Sequence, residues 1–154
     1  MKTLKIQTEI LKDWFDFRTK DRTPKWKACE YKGEFYVTDN KVLVRIPGDQ
    51  FFLRIDDETP KLYESSVERF TKEPYNLEVY EKTAKLETYS DFLALVYEPK
   101  LGDRKPVQLN KKYMDYFDSN CIVKTTRPDY PVYIYELNAE GNEVFRAILM
   151  TVQK

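Results

Sequence analysis

The chain holds 154 residues, of which 42% are hydrophobic and 15% aromatic, enough for one ordinary core and far too apolar for a disordered segment. Its 26 basic residues balance 26 acidic ones, so no net charge draws it towards nucleic acid or an anionic membrane. Histidine is absent, which excludes Ser-His-Asp and Cys-His catalysis and the commonest zinc sites.

In chain order, Leu4-Lys5-Ile6-Gln7 reads as a short strand and Thr8 as the N-cap of a helix running from Glu9 to about Lys20. Ile10, Leu11, Trp14, Phe15 and Phe17 form its apolar arc, opposite Glu9, Lys12, Asp13, Asp16 and Lys20. Alternating strands follow around Trp26–Tyr31, Glu34–Thr38 and Val42–Ile46, broken by turns at Lys32-Gly33, Asp39-Asn40 and Pro47-Gly48. Phe51-Phe52-Leu53-Arg54-Ile55 reads as another strand. Asp56-Asp57-Glu58 reads as a solvated turn rather than a magnesium site, and a helix anchored by Leu62, Val67 and Phe70 fits between Pro60 and Thr71.

Residues 76–80 and 84–89 look like a hairpin pair, and residues 92–97 like a further strand. Val107-Gln108-Leu109 is a short strand, and Asn110 caps a helix carrying Tyr113, Met114, Tyr116 and Phe117. Strands then run over residues 121–125, 131–135 and 144–152, the last two joined by an Asn138–Asn142 hairpin loop. Cys29 and Cys121 sit in apolar runs and read as buried free thiols. The first residues lack the pattern of a signal peptide, and no run nears the ~18 apolar residues of a membrane span, so the expected location is the cytoplasm, with no membrane partner.

Both halves thus open strand–helix–strand–strand–strand, with Asp13-Trp14-Phe15-Asp16 echoed by Asp115-Tyr116-Phe117-Asp118. The expected fold is α+β, one domain over residues 1–154. A β-α-β-β-β unit is duplicated over about 1–73 and 74–154, with two helices packed on antiparallel sheets.

Three segments resemble a domain of the bacterial DNA polymerase III β sliding clamp. They are Val37-Thr38-Asp39-Asn40-Lys41-Val42-Leu43, Val107-Gln108-Leu109-Asn110-Lys111-Lys112-Tyr113-Met114, and Pro131-Val132-Tyr133-Ile134 with Ile148-Leu149-Met150-Thr151-Val152. The resemblance implies a non-enzymatic replication protein, a processivity factor without cofactor or metal. Its implied partners are double-stranded DNA, peptide motifs of replication or host proteins, and further copies of itself. It also implies a peptide cleft from Thr38, Asn40, Lys41, Val42, Leu43, Val132, Met150 and Thr151, and DNA contacts from Lys12, Lys20, Arg22, Lys111 and Lys112. The family's Gly-His-Arg is Asn40-Lys41-Val42 here, and its last proline is Thr151. The helix arcs carry Glu9, Asp13, Asp16, Asp115 and Asp118 among their lysines, which a DNA-lining surface does not favour. The alternative is a clamp-fold adaptor or inhibitor from a phage or mobile element, binding a protein partner without encircling DNA.

Overall fold

The computed structural model describes residues 1–153, which form two compact units: residues 2–72, and residues 73–153 together with Met1. Each is antiparallel sheet with helix, an α+β architecture.

The first unit opens on helix α1, Thr3–Lys20, so the expected strand at Leu4–Gln7 and the cap at Thr8 are both corrected. Ile6 and Gln7 continue the spacing of Ile10 and Trp14, and all four are buried on one arc. Four residues alternating apolar and polar are ambiguous between strand and helix, and here the helical spacing beyond them decides. Thr8 caps nothing: its hydroxyl donates back to the Leu4 carbonyl at 2.7 Å. Asp21 ends the helix in a left-handed conformation (φ 51°).

Strands β1 (Lys27–Tyr31), β2 (Glu34–Thr38) and β3 (Val42–Ile46) form an antiparallel meander. Lys32 and Gly33 both take positive φ (50° and 78°), the twist-matched geometry of a two-residue hairpin turn. At the next turn the Asp39 carboxylate accepts from the amides of Lys41 and Val42. Thr38 donates to the Val42 carbonyl and accepts from the Asn40 amide, so its hydroxyl is spent on the turn.

The expected strand at Phe51–Ile55 does not form. Gln7 supplies what a neighbouring strand would have given. Its fully buried side-chain amide donates to the Gln50 carbonyl at 2.9 Å and accepts from the Phe52 amide at 2.8 Å. With those backbone groups satisfied, the segment runs as an extended strap across α1. The chain then passes Pro60–Leu62, which pair with Ala28 in a parallel bridge, and enters α2 (Glu64–Phe70). Leu62 and Val67 anchor it as expected, whereas Phe70 is 48% exposed.

In the second unit, β4 (Glu78–Thr88) and β5 (Leu93–Pro99) pair, followed by β6 (Val107–Asn110), α3 (Lys111–Met114), β7 (Ile122–Thr125), β8 (Val132–Leu137) and β9 (Glu143–Leu149). The spatial order is β9-β8-β7-β4-β5-β6. The expected hairpin within residues 76–89 is instead the single strand β4, with a bulge between Lys82 and Leu86. Thr83 sits in the bulge, and its hydroxyl donates to the Val96 carbonyl at 2.9 Å. Asn110 caps α3 by accepting from the Lys112 amide, and Asn138 closes the β8–β9 loop, as expected. Tyr116, Leu109, Ile134 and Leu149 form the centre of this core. Strand–helix–strand–strand–strand therefore describes β6-α3-β7-β8-β9, while the first unit has no opening strand before its helix.

Buried Glu136 is the charged exception within the second core. It accepts from the Met1 ammonium at 2.9 Å, the Asp118 amide at 2.8 Å and Arg146 Nε at 3.0 Å. Three charge-strengthened bonds offset its desolvation.

Candidate functional site

The residues that the clamp resemblance named for peptide binding fall into two groups. Thr38, Asn40, Lys41, Val42 and Leu43 belong to the first unit, and Val132, Met150 and Thr151 to the second. Val42, Leu43 and Val132 are core side chains, and Thr38 and Thr151 are buried. Thr151 accepts a hydrogen bond from Gln153. Among these eight, solvent reaches Asn40, Lys41 and Met150.

The expected DNA contacts are largely neutralised. Lys20 and Arg22 share the Asp16 carboxylate at 3.3 and 3.9 Å. Lys111 pairs with Asp115 at 2.9 Å, and Lys112 lies over the Tyr113 ring, 5.6 Å from its centroid. Lys12 is exposed. Asp13, grouped with the exposed charges by sequence, instead accepts from the amides of Lys25 and Trp26 and fixes the entry to β1. Its neighbour Trp14 donates its indole N–H to the Trp26 carbonyl at 3.0 Å.

Two depressions in the first unit were not anticipated. The first lies on α1, about 430 Å³ in volume, lined by Leu11, Lys12, Trp14, Phe15, Arg18 and, from the strap, Arg54. Leu11 is 48% and Phe15 62% exposed, contrary to the inward arc expected for them, and Leu4 is 70% exposed on the same stripe. At 100° per residue, Leu4, Leu11 and Phe15 fall within about 40° of one another, and their centre lies about 120° from that of the Ile6, Ile10 and Trp14 arc. The apolar arc is thus too wide for one core contact, and half of it faces water. That width was readable in the sequence.

The second depression, about 530 Å³, runs beside β1. Ile55, Leu62 and Tyr63 give it apolar walls, and Glu30, Asp57 and Glu64 give it charge. Asp56, also at its rim, accepts from the Glu58 amide and Thr59, and Arg54 approaches it at 3.4 Å. The backbone bond from Glu58 leads the causes holding its carboxyl below the usual range. Asp56-Asp57-Glu58 is thus the solvated turn read from sequence.

Both thiols are free. Burial, reinforced by Glu64, pushes Cys29 up to about 11, and burial with Glu136 pushes Cys121 to about 11. Such thiols are poor nucleophiles. Among the described residues no three Cys, Asp or Glu side chains group to hold a metal ion, and no helix is long and apolar enough to cross a membrane. No protein-family model, curated protein or solved structure matches this chain.

Proposed function

We propose that this chain is a non-catalytic docking protein whose working surface is the outer face of α1, and that its partner there is an apolar protein segment edged with acidic residues. The exposed stripe of Leu4, Leu11 and Phe15 carries the reading. Large apolar side chains gathered on one exposed stripe mark an interaction site more often than chance. Lys12 and Arg18 beside the stripe select a carboxylate-bearing partner. Selection from a random peptide display library tests it. Enriched sequences should combine Leu or Phe with Asp or Glu, and the double variant Leu11→Lys/Phe15→Lys should lose them while keeping its circular dichroism. Enrichment without acidic residues, or retained binding by the variant, overturns the reading.

A second reading keeps the clamp resemblance: a replication-associated factor that binds duplex DNA or replication proteins. The β6-α3-β7-β8-β9 order of the second unit favours it, being the element order which that resemblance implies. The pairing of Lys20, Arg22 and Lys111 with carboxylates weighs against its DNA half. Retention of duplex DNA with a steep salt dependence would make this second reading the better one.

A further inference from the structure

The groove beside β1 contains an unused piece of sheet edge. The Ala28 amide donates to the Pro60 carbonyl, and the Ala28 carbonyl accepts from the Leu62 amide. Both Ala28 groups therefore point away from β2. Backbone groups alternate along a strand, so two residues on, the amide and carbonyl of Glu30 point the same way. The hairpin register agrees: Tyr31 and Glu34 close the turn as a bonded pair, which leaves Glu30 opposite Phe35 at a non-bonded position. At that point the covering chain has turned away into α2, and the groove opens between Glu30 and residues Tyr63–Ser65. Among the described residues, no backbone or side-chain group bonds these two Glu30 atoms.

We propose that this edge is a second docking site, for an extended peptide segment carrying lysine or arginine. The segment forms a two-bond bridge to the Glu30 backbone, next along the edge from the bridge that Lys61 makes with Ala28. Its apolar side chain rests on Ile55 and Tyr63, which are 38% and 65% exposed. Its cations lie among Glu30, Asp57 and Glu64, where Lys61 is the one lysine lining the groove. This is strand addition with charge selection: backbone pairing supplies affinity, and side chains on alternate positions supply choice. The volume falls within the ~300–1,000 Å³ typical of ligand sites. Nucleic acid is disfavoured by the same carboxylates. The site shares no lining residue with the α1 face, so either surface can fail its test while the other stands.

Fluorescence polarisation with a labelled peptide alternating valine with lysine and arginine tests the proposal on the full chain. The peptide should bind, and an analogue with glutamate in place of each cation should not. Glu30→Pro removes the outward N–H without touching the β1–β2 bonds, and Cys29 before it is already extended, so the hairpin should survive. That variant should weaken binding about tenfold or more. Because proline can still perturb folding, Asp57→Lys/Glu64→Lys serves as a second variant, at exposed positions. It should abolish capture of the basic peptide and gain capture of the glutamate analogue. No binding by the wild type, binding indifferent to Glu30→Pro in a folded protein, or binding indifferent to charge reversal each overturns the proposal. So does concentration-dependent dimerisation abolished by Glu30→Pro, which would make a second copy the occupant.

Discussion

Gln7 shows how one polar side chain redirects a segment. Its amide donates to the Gln50 carbonyl and accepts from the Phe52 amide within 2.9 Å, and the residue is wholly buried. Gln7→Leu keeps the volume but leaves those backbone groups without their partner. At about 1–3 kcal/mol for each polar group left unsatisfied, the variant should lose roughly 2–4 kcal/mol, read as a lower urea midpoint. Glu136→Gln should cost about 3–5 kcal/mol, because its three donors include two cations that a neutral amide serves poorly. The thiols give a pH signature. Their folded values, near 11, exceed the unfolded value near 9, so the native chain holds protons that the unfolded chain releases. The stability this represents is complete below about pH 9 and is lost as pH rises through about 11. Burial also raises Tyr97 and Tyr135, which extends the loss further into alkali. Urea midpoints should therefore fall across that window, and less steeply in a Cys29→Ala/Cys121→Ala variant.

At the scale of elements, turn chemistry was the most legible part of the sequence. Lys32-Gly33, Asp39-Asn40, Asn110 and the Asn138–Asn142 loop each do what their residue types require. Two of the departures have a common origin, in that a residue's partner lies far along the chain. Leu4–Gln7 looked like a strand because Gln7 is polar, yet its partners are at Gln50 and Phe52. The same bonds explain why Phe51–Ile55 is not a strand. Strand β4 looked like two because the bulge at residues 82–86 breaks alternation. Neither depression was anticipated. The wide apolar arc of α1 announced one, but the edge at Glu30 depends on where Pro60–Leu62 stop pairing, which no local pattern encodes. Gly33→Ala belongs at this scale too. It forces a positive φ on an alanine, though open space surrounds the new methyl, so it should cost about 1 kcal/mol without altering the sheet.

For the whole molecule, the balance of 26 basic and 26 acidic residues is repeated locally, since cations on α1 and α3 sit beside carboxylates. A protein so neutralised releases few counterions on contacting duplex DNA. Electrophoretic mobility of duplex DNA should be unaffected by this chain at about 0.15 M salt, and a clear shift would restore the DNA reading.

The open edge at Glu30 also has a meaning for a crowded solution of identical chains. An unpaired strand margin is an invitation to pair with the same margin of a sibling and so to seed a polymer. Here two such margins would bring Glu30, Asp57 and Glu64 against their own images, and like charges would hold the siblings apart. The carboxylates that select a basic guest thus double as gatekeepers against self-templating. Glu30→Val/Glu64→Val should lift that safeguard. Its light scattering should climb during storage at concentrations where the wild type stays clear, and an equally clear variant would show that the margin is guarded by something else.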